Sequence, residues 1–299
     1  MKRWIKWTAG LVGGAVVLVA GVALVGSQMA DSKSQRQIKV SVQPVAIPVT
    51  AQALERGAYL YSSRGCADCH GAAGGGREFV NDGKMRLAGP NITPGEGNVV
   101  AHYTPEDWVR TVRHGVKPDG RPIFIMPSED YNRFTDEDLG ALAAYVKSLP
   151  PKMGGAAVID LPLPVRVLYA FDAIKDAAQK IDHTLPPARP IAEGVTAAHG
   201  AYVANMCIGC HGATLAGGKI PGGPPDWAAA ANLTSGDGSV MPRYKDADTF
   251  VAMLRSGKRP DGTAITVMPF ESLRALNDVD AQALYAYLKT VPAKPFGQR

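Results

Sequence analysis

Cys66-Ala67-Asp68-Cys69-His70 and Cys207-Ile208-Gly209-Cys210-His211 decide how this chain is read. Each is a C-x-x-C-H run, the pattern in which two thiols bond to the vinyl groups of one haem while the histidine ligates its iron. On a helical turn, positions i and i+3 share a face, so both sulfurs reach one edge of the macrocycle and the next residue carries its imidazole beneath the metal. The two runs use all 4 cysteines of the chain. A redox dithiol, a zinc half-site or two disulfides are the competing readings. None of them asks for a histidine directly after the second cysteine, and here it occurs twice.

Working outward, the two runs head the halves of an internal repeat. Gly57 and Tyr59 answer Gly200 and Tyr202, while Asn91-Ile92-Thr93 and Asn232-Leu233-Thr234 each begin 25 residues after the first cysteine. Thr104 to His114 matches Asp246 to Ser256, each a helix-like stretch opened by a capping residue and closed by glycine, Gly115 or Gly257. A closing helix follows in each half, with Thr135 and Asn277 as N-caps. Leu139, Leu142, Tyr145 and Val146 correspond there to Ala281, Leu284, Tyr287 and Leu288 at helical spacing. Trp108, Phe250, Tyr145 and Tyr287 are read as core aromatics around haem.

The segment between those helices supplies a second iron ligand. Gly115-Val116-Lys117-Pro118-Asp119-Gly120 leads to Met126-Pro127, and Gly257-Lys258-Arg259-Pro260-Asp261-Gly262 leads to Met268-Pro269; each methionine lies 11 residues past its glycine. Most of the 9 methionines are core filler on general grounds. Met126 and Met268 pair with each other across the halves, whereas Met85, Met241 and Met253 have no methionine counterpart. The expected iron ligands are therefore His70 with Met126 and His211 with Met268, and the cofactors are two covalently bound haem c groups on Cys66, Cys69, Cys207 and Cys210. His102, His114, His183 and His199 do not recur at matching positions and are assigned no iron; His114, ending a helix, is expected in solvent.

At the amino terminus Lys2, Arg3 and Lys6 precede Trp7 to Gly26, 20 residues without a charge. That length suits a bilayer-spanning helix better than a secretory signal, although Val25-Gly26-Ser27 resembles a processing site. Positive charges before the span keep that end cytoplasmic. The expectation is a single-pass bacterial inner-membrane protein with its haem domains in the periplasm. The chain carries +5, and residues 1–50, with six basic side chains against Asp31, account for all of it. The balanced remainder offers no basic face for nucleic acid.

The 299 residues divide as an anchor at 1–30, an exposed tether at 31–50, a first haem module at 51–150, a connector at 151–190 and a second module at 191–299. In the connector, Val165 to Ile181 has helical periodicity between Pro162-Pro164 and Pro186-Pro187, and is expected to lie across both modules.

These residues resemble class I c-type cytochromes over both modules. Within that class, Asn91-Ile92-Thr93-Pro94, Arg113-His114-Gly115-Val116 and Leu161-Pro162-Leu163-Pro164 resemble the membrane-bound cytochrome c subunits of bacterial alcohol and aldehyde dehydrogenases. Those subunits usually carry three haem-binding runs; this chain has two. The resemblance implies an all-α fold of two tandem helical bundles behind a transmembrane helix, with methionine approaching from the far side of each haem. It also implies a backbone carbonyl at Pro90 as acceptor for His70, the same position being Ala231 in the second half.

Two ligated irons without a vacant position imply an electron carrier with no catalytic residue. It would pass electrons from a dehydrogenase or quinol-linked donor toward a terminal oxidase or soluble cytochrome. The alternative is a di-haem cytochrome c peroxidase, which needs one open iron and hence modules that differ at the sixth position. A haem-based gas sensor lacks a signalling segment.

Overall fold

A computed structural model describes residues 3–299. Lys2 and the side chain of Lys6, two of the expected amino-terminal charges, lie outside the described residues. Helix α1 runs from Arg3 to Ser34, and its apolar part is almost wholly exposed on the protein.

The first module opens with α2 (Ala51–Ser63), capped where Thr50 Oγ1 accepts from the Ala53 amide, followed by α3 (Cys66–His70). Two strands, β1 (Arg77–Asn81) and β2 (Arg86–Gly89), then form an antiparallel hairpin. Helix α4 (Pro105–His114) has a full capping box between Thr104 and Asp107 and stops at Gly115, whose φ of 63° suits glycine. The short α5 (Ser128–Tyr131) and the closing α6 (Asp136–Ser148), capped by Thr135, complete it.

In the connector, β3 (Val158–Asp160) pairs with β2 and α7 (Leu163–Ala170) follows. The second module repeats the first with α8 (Ala197–Val203), α9 (Ile208–His211), α10 (Ala247–Ser256), α11 (Phe270–Leu273) and α12 (Asp278–Leu288). Asp246 caps α10 and Asn277 caps α12.

Both modules are built on a crossing of their first and last helices that only glycine permits. A Cβ on Gly57 would strike the Ala141 carbonyl of α6, and one on Gly200 would strike the Ala283 carbonyl of α12. Each crossing closes a separate apolar core: Leu60, Trp108, Leu139 and Leu142 in one, Val203, Phe250, Leu254 and Leu284 in the other.

Four expectations are corrected. The fold is not all-α: β1, β2 and β3 form a three-stranded sheet. An Asp82-Gly83 turn makes the hairpin, with Asp82 Oδ1 accepting from the Lys84 and Met85 amides. The tether is not free of the fold: residues 35–50 run along the first module with exposed and half-buried positions mixed. There Val45 is buried in the core, Val42 and Ile47 pack on it, and the Ile38 amide donates to the Gly120 carbonyl at 2.8 Å. The connector helix stops at Ala170, where Asp172 takes a φ of 61°, and it packs against α1 instead of bridging the modules. His114 is buried, its Nδ1 lying 3.1 Å from Nδ1 of His183.

The modules meet through a reciprocal exchange of hydrogen bonds. Tyr59 Oη of the first module donates to Asp280 of the second at 2.6 Å, and Tyr202 Oη of the second donates to Asp138 of the first, also at 2.6 Å. The pairs are repeat counterparts, so the interface has an approximate two-fold character. Asp280 is fully buried and also accepts from Arg64 at 2.6 Å and from His199 Nε2 at 2.7 Å. Burial works to raise its pKa, and these partners outweigh burial and hold it below the usual carboxylate range.

Asp280→Asn leaves the buried Arg64 cation without its counter-charge, and we expect a loss of about 3–5 kcal/mol. A lowered thermal midpoint that Arg64→Met added to the same chain partly restores would check this; an unchanged midpoint in the single variant would count against it. Burial, then His183, Arg113 and Arg110, push the His114 pKa down to about 4. The unfolded chain, with its histidine near ~6.5, therefore takes up a proton that the folded protein refuses, and stability falls as pH drops from about 6.5 to about 4. The full shift corresponds to about 3 kcal/mol. His114→Asn should flatten the thermal midpoint between those pH values relative to the parent chain.

Candidate haem sites

Each C-x-x-C-H run sits on a helical turn just after the module's first helix: the first fills α3, and the second runs from Cys207, the last residue of a 3-10 turn (Ala204–Cys207), through α9. Gly71 and Gly212 close these turns with φ of 74° and 81°. A single turn is stable here because it is pressed from several sides. In the first module a Cβ on Gly89 of β2 would run into the Cys69 carbonyl, so the hairpin lies directly against the motif.

The thiols are half-buried and unbridged. Burial pushes Cys66 and Cys207 up to about 12 and Cys69 up to about 11. A dithiol exchange centre needs a thiolate near neutral pH, so this environment argues against that reading.

Both histidines are held the same way. His70 Nδ1 donates to the Pro90 carbonyl at 3.0 Å, and His211 Nδ1 donates to the Ala231 carbonyl at 2.8 Å. A carbonyl can only accept, so the proton lies on Nδ1 and the lone pair on Nε2 is free for a metal. Burial lowers both pKa values, which keeps the imidazoles neutral, the form that ligates.

The accepting carbonyls are themselves fixed by the Asn-x-Thr segments that follow. Asn91 Nδ2 donates to the Lys152 carbonyl at 2.9 Å while its Oδ1 accepts from the Thr93 amide and hydroxyl. Asn232 repeats this with Lys294 and Thr234. Both asparagines are buried, so each ties the loop holding the histidine to the chain leaving the module's last helix.

Met126 and Met268 stand just before α5 and α11, each followed by proline. Met126 packs on the cluster that Cys66, Ile92 and Tyr103 also border, and Met268 on the one bordered by Cys207, Ile208 and Leu233. In each module, then, the first thiol of the motif and the thioether border one apolar core, and the histidine with its free ring nitrogen closes the same motif. This donor set suits haem: sulfur for the vinyl groups, nitrogen and thioether for iron.

A further observation fits a porphyrin in the first module. Trp108 Nε1 is buried without a hydrogen-bond partner, and such a donor calls for an acceptor of the kind a propionate carboxylate offers. Phe250, at the matching position, has no such donor. The sequence places Trp108 among the core aromatics around haem; its indole N–H adds a polar role that hydrophobic spacing does not signal.

The two sites also lean on each other. Asp130 of α5 accepts from the Gly209 amide inside the second motif at 2.8 Å, and its carbonyl accepts from Asn205 Nδ2 at 2.7 Å. In return, Ser272 of α11 stands beside Gly65 and Asp68 at the first motif, and the neighbouring Glu271 binds Arg77 of the hairpin at 2.9 Å. The helix following each methionine thus packs on the other module's motif. No sequence pattern within one module announces this.

Comparisons with known proteins agree with this geometry. Residues 52–146 match the family described as cytochrome c oxidase, cbb3-type, subunit III, and residues 195–292 match the cytochrome c family. The chain is 28% identical to the fructose dehydrogenase cytochrome subunit of Gluconobacter japonicus over 84% of its own length. It is 31% identical to the gluconate 2-dehydrogenase cytochrome c subunit of Pantoea cypripedii over 82%. It spans only 55% and 61% of those two proteins. A diheme cytochrome c-type protein of Cereibacter sphaeroides, 28% identical, aligns with 96% of this chain and 98% of its own length. Two C-x-x-C-H modules, each matched by a cytochrome family, place the chain among the c-type cytochromes: it carries two covalently bound haem c groups and resembles the cytochrome c subunits of dehydrogenases.

Proposed function

We propose that this chain is a membrane-anchored, periplasmic electron-transfer subunit, not itself an enzyme. It would accept electrons from a dehydrogenase or a quinol-linked donor and pass them through both haems to a terminal oxidase or a soluble cytochrome. The dehydrogenase names borne by its relatives support the donor class. The exposed apolar face of α1, with 6% of its most apolar window buried, supports the anchor.

The observation that carries the reading is the equivalence of the two sites. Each module has a neutral histidine, its Nδ1 committed to a carbonyl, and a methionine in the same sequence context against the module's own core. Bound haem c supplies a one-electron iron couple. In our reading His70 and Met126 hold one iron, and His211 and Met268 the other, in the domains spanning 51–150 and 191–299. Ligands fixed on packed elements need little rearrangement on a change of charge, which favours fast one-electron exchange. The Asp130–Gly209 and Glu271–Arg77 contacts brace each motif against the other module, which supports transfer between the modules without a separate shuttle. The peroxidase alternative finds no support: the modules match at the position where it requires them to differ, and the relatives' names speak of dehydrogenases and a diheme cytochrome.

Met126→Ala tests the assignment. Haem content should stay at two per chain, because the cysteines are untouched. One of the two reduction potentials should fall by on the order of 0.1 V, within the ~0.8 V range that axial ligands command. Half of the thioether-to-iron charge-transfer absorption of the oxidised protein should vanish. Unchanged potentials and spectrum would remove Met126 from the iron.

A further inference from the structure

Helices α1 and α7 run side by side in one direction, and their contacts can be followed residue by residue. Gly26 faces Val167, so closely that a Cβ there would meet the valine side chain at 3.0 Å. Arg166 binds both oxygens of Asp31 at 2.7 Å and Ala30 is buried with Tyr169 and Ala170. Lys33 binds Asp172 at 2.7 Å, and Arg36 binds both oxygens of Asp176 at 2.6 and 2.9 Å. From Asp31 onward the contacts are mainly ionic; before it the Gly26–Val167 contact is apolar, and Arg166 reaches back to the Ser27 carbonyl at 3.3 Å.

The uncharged run Trp7 to Gly26 is 20 residues long, which as a helix is about 30 Å, the thickness of a bilayer's hydrocarbon core. If α1 spans a membrane, the core ends near Gly26, the level at which Val167 touches it. The first turn of α7 then lies at or inside that boundary. This turn is built for such a place: Leu161 to Val165 has no charge. Pro164, Leu168 and Phe171 fall at i, i+4 and i+7 on one exposed face, with Leu163 beside them. Leu163 and Leu168 are 46% exposed and Phe171 56%, an unusual cluster for a short helix clamped by three ion pairs.

We propose that α7 is a second membrane contact. Its face of Leu163, Pro164, Leu168 and Phe171 sits in the lipid headgroup and upper acyl layer beside α1. The proposal rests on the anchoring read above. Lipid is the occupant because the face continues the lipid-exposed surface of α1 at the depth where the apolar span ends, with all three ion pairs on its polar side. Two points of contact joined by Arg166–Asp31, Lys33–Asp172 and Arg36–Asp176 would fix the tilt and height of the haem domains over the membrane.

The full chain in nanodiscs of phosphatidylethanolamine and phosphatidylglycerol tests this through single cysteines, since the native ones are taken up by haem. Leu163→Cys, Leu168→Cys and Phe171→Cys should react with a membrane-impermeant maleimide roughly ten-fold or more slowly than Met153→Cys, because a thiol in lipid forms little thiolate. Met153 is fully exposed on the connector, well apart from α7 in sequence. Val16→Cys, in the middle of the span, reports on the anchor, and unchanged haem absorption reports on folding. If the Val16 variant is protected while the three α7 variants label as fast as the Met153 variant, the second contact is overturned and the anchor stands. If the Val16 variant labels fast as well, both fall. A one-phospholipid mass addition to Leu168→p-benzoylphenylalanine after irradiation would identify lipid directly, and its absence alongside fast labelling would leave a protein partner as the occupant.

Discussion

A carboxylate with no exposed surface can keep its charge only if donors are brought to it, and Asp280 draws its donors from both modules. Arg64 and Tyr59 reach it from the first, His199 from the second. Arg64 is also the residue two before Cys66, and its carbonyl accepts from Tyr131 at 2.8 Å. One buried cation therefore connects a haem-attachment turn, the far module and the helix after a candidate ligand. On the other side of the interface Asp138 plays a similar part, receiving Tyr202 at 2.6 Å and both donors of Arg56 at 2.8 and 2.9 Å. With two such knots, the modules face each other in one orientation, and the motif turns acquire packing that a single helical turn could not supply for itself.

The modules are alike in what the cofactor requires and unlike around it. Histidine orientation, the Asn-x-Thr lock and the glycine crossing recur almost residue for residue. The surroundings differ: the first module has a sheet against its motif and an indole donor at Trp108, whereas the second has loops with isolated bridges and Phe250. Axial ligands of the same type surrounded by different dipoles and different shielding are the usual way in which two haems on one chain come to differ in potential.

What could be read in the sequence was local or repeated. The motif turns, the caps at Thr104, Thr135, Asp246 and Asn277, and the closing glycines depend on a few neighbouring residues, and the structure has them there. The accepting carbonyls at Pro90 and Ala231 came from family resemblance, and both hydrogen bonds are present. What escaped depends on partners distant along the chain. Val42 and Val45 look like stalk residues until α6 is beside them, and His114 looks solvated until His183, 69 residues later, covers it. The hairpin had a visible sign in Asp82-Gly83, but a helical family template hid it. Asp138 and Asp280 also had a sign, since each recurs opposite a repeated tyrosine. Nothing in one half reveals that the partner lies in the other.

The seating of α5 on α9, and of α11 beside α3, bears on how the molecule is made. Once Asp130 has engaged Gly209 and Glu271 has engaged Arg77, each attachment turn is braced by a helix of the other module. The four thiols on these turns are partly covered by that packing. Loading a half with its cofactor is easier before that brace forms, so the seam between the modules is best completed around cofactors already in place.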